Sequence, residues 1–256
     1  MPAASPPAIS LLLPVFNRRA YLAQSIGSVL AQTRHDWELL VWDDGSTDGS
    51  ADEARRTAAN DPRVRVISAP NQGVARAMAE AHRHVSGRFI GWLDSDDWLA
   101  PTALETTARV LEQHADAGMV YTDHAVVDAA GSVLGVGARC QIPYSEERLL
   151  IDFMTFHFRL FRREVYDRVG GVDTSYPSTH DYDFCLRVSE VATITHLPGV
   201  QYFYRRTPGA ISSARRVEQI EESARAIRAA MSRRGHDAEY ELEVEIEGRY
   251  SIRRKT

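Results

Sequence analysis

Apolar residues open this chain in short unbroken runs, each followed by a segment whose apolar positions return at helical spacing. Ile9 to Val15 is the first run, and it breaks at Pro14-Val-Phe-Asn17. A run this short without polar alternation predicts a strand buried on both faces. Leu22, Ile26, Val29 and Leu30 then share one face of a helix. Glu38 to Trp42 predicts a second strand, and Asp43-Asp-Gly-Ser-Thr-Asp-Gly49 turns it into a helix from about Ser50 to Ala59. Val64 to Ser68 is a third strand, and Asn71-Gln-Gly73 leads into an Ala-rich helix through about His84. Phe89 to Leu93 is the fourth, running straight into Asp94-Ser-Asp-Asp97.

The second half follows a looser pattern. Pro101 starts a helix to about His114, with Leu104, Ala108 and Leu111 on one face. Met119–Thr122 is expected as a strand, and Asp128-Ala-Ala-Gly131 as the turn of a hairpin between Ala125–Val127 and Ser132–Val136. Phe156–Phe161 reads as strand, and Glu164–Val169 as a short helix stopped by Gly170-Gly171. Ser178 to Phe184 opens a helix through about Glu190, and Val200–Arg205 is a late strand. From Arg215 to Arg233 the residues Val217, Ile220, Ala224, Ile227 and Met231 stand at helical spacing. Tyr240 to Glu247 alternates strictly, predicting a strand with one acidic face. An isolated strand is not stable, so it is expected to pair with the sheet edge of its own domain or of a second copy in a homodimer.

Strand and helix alternating four times predict an α/β fold, a Rossmann-like mostly parallel sheet flanked by helices. The chain ends in a helix and strand appendage. In such sheets ligands bind beyond the carboxyl ends of the strands. Pro14–Asn17, Asp43–Ser46, Asn71–Gly73 and Asp94–Asp97 all fall at those ends, so four polar loops should converge on one crevice.

Composition narrows the setting. The chain has 256 residues, 44% hydrophobic and 25% charged, which suits one large domain with a small appendage. A formal net charge of −5 offers nothing to a general nucleic-acid partner. Basic pairs at Arg205-Arg206, Arg215-Arg216, Arg233-Arg234 and Arg253-Arg254-Lys255 are expected on solvated faces, where they could meet anionic phosphates or lipid. Cys140 and Cys185 form no spacing motif, the first residues lack the charge and apolar run of a signal peptide, and no apolar run approaches bilayer length. The expected setting is cytoplasmic, with peripheral contact at the inner face of the membrane.

Asp94 and Asp96 are the chemistry-bearing pair. Two carboxylates leaving a strand together suit Mn²⁺ or Mg²⁺ shared with phosphates, because such ions prefer oxygen and keep positions for phosphate and water. No Gly-x-Gly-x-x-Gly follows the first strand and no Gly-x-x-x-x-Gly-Lys-Ser/Thr is present, which removes dinucleotide binding of the Rossmann type and P-loop hydrolysis. The absent Gly-rich, Arg-bearing loop speaks against a sugar nucleotidyltransferase. His124, His157 and His196 have no ligand spacing and are not assigned to a metal. Trp92, Trp98 and Tyr182 read as packing residues before sugar-stacking ones.

Pro14-Val-Phe-Asn17, Asp43-Asp-Gly-Ser-Thr-Asp48, Asn71-x-Gly73, Asp94-x-Asp-Asp97 and His180-Asp-Tyr-Asp183, in this order, make the chain resemble glycosyltransferase family 2 over roughly residues 9 to 212. The resemblance implies the GT-A fold and transfer of a sugar, with inversion, from a UDP- or GDP-linked donor to an acceptor hydroxyl. The acceptor would be a carbohydrate such as a cell-envelope polysaccharide, a lipid-linked sugar or a small molecule. It implies a flexible tail at 1–8, a nucleotide-binding half at 9–100, an acceptor-binding half at 101–212 and a C-terminal extension at 213–256. Pro14, Val15, Phe16, Asn17, Asp44, Gly73, Asp94 and Ser95 would then surround the nucleotide sugar, with Asp44 towards the base. Asp96 and Asp94 would hold the metal, and Asp181 would be the general base, with Asp183 and Asp97 in reserve. The chain departs from the family at His180, where Glu is common, at Ala79, where Asn is common, and at Thr207-Pro-Gly-Ala210, where a His commonly stands. A catalytically silent nucleotide-sugar binder is the competing reading from another class.

Overall fold

The computed structural model describes residues 6–207 and 216–246. Four parallel strands form its first half: β1 (Ile9–Val15), β2 (Trp37–Asp43), β3 (Val64–Ser68) and β4 (Phe89–Trp92). Helices α1 (Arg19–Leu30), α2 (Ser50–Ala58) and α3 (Val74–Ala81) connect them. β2 and β4 flank β1 on opposite sides, so the strand order reverses at β1 and opens a crevice at the strand ends there. Period-two geometry explains why these strands are apolar throughout. Leu12 and Leu40 face the layer of α3, whereas Leu11, Leu13, Leu39 and Val41 face the layer of α1.

The second half extends the same sheet. Beyond β4 come β8 (Arg159–Arg162), antiparallel to β4 and to β6 (Ala117–Val127), then β9 (Thr193–Arg205), parallel to β6. β5 (Trp98–Leu99) lies antiparallel at the edge of β9, and β7 (Val133–Val136) pairs with β6. α4 (Ala103–Gln113), α5 (Arg163–Arg168), α6 (His180–Ser189) and α7 (Arg216–Arg233) complete the cover.

Several boundaries differ from the sequence reading. Met119–Thr122 and Ala125–Val127 are one strand of 11 residues, because β9 shifts register against it at Thr122 to His124 and keeps pairing across the irregularity. β9 starts at Thr193 rather than Val200, and β8 at Arg159 rather than Phe156. β5 is a short strand with no periodicity to announce it, held by the Trp98 ring stacked on Phe203 at 5.0 Å.

Within this single chain the expected C-terminal strand is not formed over Tyr240 to Ile246, and Glu247 lies outside the described residues. Residues 241–246 belong to no strand, and Tyr240, Val244 and Ile246 are exposed. Alternation makes a segment able to be a strand but supplies no partner edge. The helix before it packs on the core as its apolar spacing requires: Ala226 and Ala230 of α7 lie fully buried in the core that contains Trp92 and Phe184. Replacing Val244 and Ile246 together by Ser is expected to leave Tm within about 4 °C, as for surface sites. Ala226→Asp, which buries an unpaired carboxylate, should cost ~3 kcal/mol or more. A large drop in the first variant on thermal melting would show that the segment is packed after all.

Of the basic residues expected in water, Arg206 and Arg233 are exposed, whereas Arg205 is buried and Arg234 is largely covered and ion-paired to Glu190; Arg215 and Arg253-Arg254-Lys255 lie outside the described residues.

Candidate active site

The loops after β1 and β2 form one unit. Asn17 takes a left-handed backbone, φ 53°, with its N–H donating to Ser46 Oγ and its Oδ1 accepting the Thr47 N–H at 2.8 Å. Asn tolerates that conformation better than other non-glycine residues. Asp43 Oδ1 accepts the Ser46 N–H. Gly45 has φ 78°, and a Cβ there would stand 2.8 Å from the Asn71 nitrogen, so only glycine lets the two loops meet. Asp44 is 4% exposed, and its two carboxylate oxygens accept the N–H groups of Gln72 and Gly73 at 2.9 and 2.8 Å. Asp44 therefore joins the β2 and β3 loops, and Phe16, about half exposed, projects at the mouth beside them.

The loop after β4 is held from beneath. Ser25 of α1 donates to the Ser95 and Asp97 carbonyls. Tyr202 Oη accepts the Asp94 N–H and donates to Asp97 Oδ2 at 2.7 Å, while Asp97 Oδ1 accepts the Arg205 N–H at 2.7 Å. Arg205 Nε then binds the Asp96 carbonyl, and its guanidinium lies against the Trp98 and Tyr21 rings. Asp97 is 1% exposed with both oxygens taken, which removes it as a reserve base. Burial, then the neighbouring Asp94 and Asp96 carboxylates, push it well above the usual carboxylate range.

Asp94 and Asp96 point the other way, into the crevice. About half of the Asp94 side chain is accessible. Desolvation at the crevice floor, then Asp96, push its pKa upward, and Asp181 contributes to the same push. Such repulsion among carboxylates is what a cation would relieve. Two carboxylates fit an ion whose remaining positions go to diphosphate and water, and among the described residues no set of three or more His, Cys, Asp or Glu encloses an ion alone.

Asp181 lies in the first turn of α6, where the helix dipole favours its charged form. Its Oδ1 accepts the Tyr182 N–H at 2.9 Å and its Oδ2 the Arg159 Nη2–H at 3.2 Å. Burial pushes its pKa up, but the Arg159 guanidinium, His180 and the hydrogen bonds outweigh this and hold it below the usual Asp range. Asp183, the other reserve base, is 1% exposed and paired with Arg187 on the same helix. The loop before α6 is clamped by Glu222 of α7, which accepts from the Ser178 N–H and from the Ser178 and Thr179 hydroxyls.

Because its folded pKa is depressed, Asp181 stays ionised as pH falls through the ordinary Asp range, and is neutralised only below it. Any stability it lends is present above its unfolded pKa and is lost as pH falls through the folded one. In Arg159→Met the acidic limb of the activity–pH profile should move up by ~1 unit or more, the size of an opposite-charge effect. An unmoved limb would separate Arg159 from the ionisation that governs turnover.

Four residues take places the sequence did not announce: Arg18 and Arg159 stand in no motif above, His157 was given no metal role, and Arg205 was expected on a solvated face. Arg18 Nε stands 3.6 Å from Asp96 Oδ2, and His157 Nε2 stands 3.4 Å from Asp94 Oδ2. The His157 ring stacks on Tyr202 at 4.5 Å, and burial, then Arg159, keep it neutral. Arg18 had one available signal, its place directly after Pro-Val-Phe-Asn. The others reach the crevice only by strand pairing, and no local spacing announces them. Trp92 and Tyr182 are packing residues as expected: Trp92 contacts Phe161 and Phe184, and the Tyr182 hydroxyl donates to the Leu149 and Leu150 carbonyls.

Comparisons with known proteins bear on the family and the fold. The family model described as "Glycosyl transferase family 2" matches residues 10–170, more than half the chain. Chondroitin synthase of Escherichia coli is 33% identical over 230 residues, covering 90% of this chain and 33% of that protein. Hyaluronan synthase of Pasteurella multocida is 33% identical over 196 residues, covering 77% of this chain and 20% of that protein. This chain thus spans a third or less of these relatives. Among solved structures, Staphylococcus aureus TarS 1–349 in complex with UDP superposes with TM-score 0.68 at 19% identity, over 87% of this chain and 65% of that one. Mannosyltransferase PcManGT of Pyrobaculum calidifontis, in complex with GDP-Man and Mn²⁺, gives TM-score 0.70 at 19% identity, over 90% of this chain and 65% of that one. At such identity these two show the fold, GT-A, and nothing finer.

Proposed function

Because this chain belongs to glycosyl transferase family 2, we propose that it transfers a sugar, with inversion, from a UDP- or GDP-linked donor to an acceptor hydroxyl. The observation that carries this reading is two separate sets of carboxylates around one crevice: Asp94 and Asp96 after β4, with Asp94 3.4 Å from His157 Nε2, and Asp181 at the start of α6, bound to Arg159, two residues after His157.

Displacement at an anomeric carbon makes two demands. The departing diphosphate gathers negative charge, and the attacking hydroxyl must lose a proton. Asp96 and Asp94 would hold Mn²⁺ or Mg²⁺, which when bound neutralises the diphosphate as a Lewis acid. Asp181, ionised by Arg159 and open to the crevice over about a fifth of its side chain, would accept the proton. The loops carrying Pro14, Val15, Phe16, Asn17 and Gly73 would line the nucleotide pocket, Ser95 would flank the metal, and Asp44 would serve that pocket by fixing the Gln72-Gly73 backbone. Similarity to proteins named chondroitin and hyaluronan synthases supports a carbohydrate acceptor.

Thermal melting against UDP, GDP and their sugars, with Mn²⁺ or with EDTA, tests the reading. A true donor stabilises the native state through its affinity, by ~2.7 kcal/mol at a hundredfold excess over Kd. Stabilisation by one nucleotide series, stronger with Mn²⁺, together with release of that nucleoside diphosphate when a carbohydrate acceptor is added, is the expected result. Indifference to every nucleotide with and without metal would overturn it.

A further inference from the structure

Asp96 already has a cation beside it. Arg18 Nε stands 3.6 Å from Asp96 Oδ2, and the same oxygen accepts from Thr207 Oγ1 at 3.3 Å. The backbone brings Arg18 there on purpose-built supports. Asn17, left-handed and tied to Ser46 and Thr47, turns the chain back towards the crevice. The Arg18 N–H then donates to Ser50 Oγ at 2.9 Å, and Nη1–H donates to the Asn17 carbonyl at 3.2 Å. Its guanidinium is therefore pinned near the acidic pair, and it lowers Asp94 as well.

We propose that Arg18 exchanges partners during the cycle: it neutralises Asp96 in the unloaded protein and binds the donor's diphosphate when a divalent ion takes Asp96. The proposal rests on the nucleotide-sugar reading above. An ion arriving at Asp96 repels a guanidinium 3.6 Å from the same oxygen, and the nearest anion to receive it is the diphosphate that the ion shares. A planar guanidinium matches phosphate oxygens with two parallel hydrogen bonds, where a hydroxyl such as that of Thr207 brings no charge. No covalent step is added; charge is only redistributed among groups already present.

The exchange has a signature that a structural role lacks, because removing Arg18 moves two affinities in opposite directions. In Arg18→Gln, Mn²⁺ alone should bind ~2- to 5-fold more tightly, the range of a partly exposed ion pair now absent. Binding of UDP or GDP at saturating Mn²⁺, whichever the wild-type protein prefers, should weaken by ~10-fold or more, as for loss of a charged hydrogen bond. The corresponding monophosphate should lose less. Arg18→Lys, which keeps the charge without the fork, should fall between, and Arg19→Gln should change neither affinity. Calorimetric titrations read all of these, with melting curves to check the fold. Unchanged affinities in Arg18→Gln, or both falling together with Tm, would overturn the exchange while leaving the transferase reading standing. A wild-type protein that binds neither nucleotide would overturn both.

Discussion

Asp181→Asn should bind donor and metal nearly as well as the wild-type protein and lose transfer by at least ~10²-fold, the lower end of what a positioned base contributes. Neither the Asp96 loop nor the nucleotide loops hydrogen-bond to Asp181, so binding should change only modestly, through loss of its charge near Asp94. The variant keeps one carbonyl oxygen for two donors, the Tyr182 N–H and Arg159 Nη2. The Tyr182 N–H also donates to the Thr179 carbonyl at 3.1 Å, so the one oxygen can stay on Arg159 Nη2, and a Tm lowered by loss of the ion pair to Arg159 is expected with the fold intact. Turnover at saturating donor, measured beside nucleotide affinity, separates the outcomes. Weakened donor binding with intact saturated turnover would make Asp181 a binding residue. Retention of both would leave it as a helix cap, and the acceptor's proton would need another destination. Asp97 and Asp183 are poor substitutes, since each is 1% exposed with its carboxylate engaged by neighbours.

The second large effect is expected at Asp96. Asp96→Ala should keep the fold yet reduce metal-dependent turnover by at least ~10²-fold, since Lewis-acid stabilisation is worth several kcal/mol. The reason is a division within one residue. The loop is fastened through the Asp96 carbonyl, which Arg205 Nε binds, and alanine keeps that carbonyl. The side chain faces the crevice, where Arg18 and Thr207 are its neighbours. Asp97→Ala should behave in the opposite way, because it strands the Tyr202 hydroxyl and the Arg205 N–H in a dry interior and so lowers Tm first. Melting curves and Mn²⁺ titrations on the two variants distinguish loop from ligand. Full turnover of Asp96→Ala with the correct donor would end the metal assignment.

What the sequence by itself determined follows from local physics. Leu11, Leu12 and Leu13 are all apolar because both faces of β1 are covered, and that pattern identifies a parallel strand without any knowledge of its neighbours. Four such strands with helices between them place every strand-to-helix turn at the carboxyl edge, so Asn17, Asp44, Gly73, Asp94 and Asp96 could be assigned to one crevice from order alone. What only the tertiary structure decided involves partners far apart in the chain. Arg159 ionises Asp181 across 22 residues, and Tyr202 and Arg205 fix Asp97 across more than a hundred. Each of these bonds hangs on a single side chain, so they leave no period and no spacing. The same distinction explains the C-terminus. Tyr240 to Glu247 alternates as a strand should, but a strand is stabilised by an edge to pair with, and alternation within a segment carries no information about whether an edge is free.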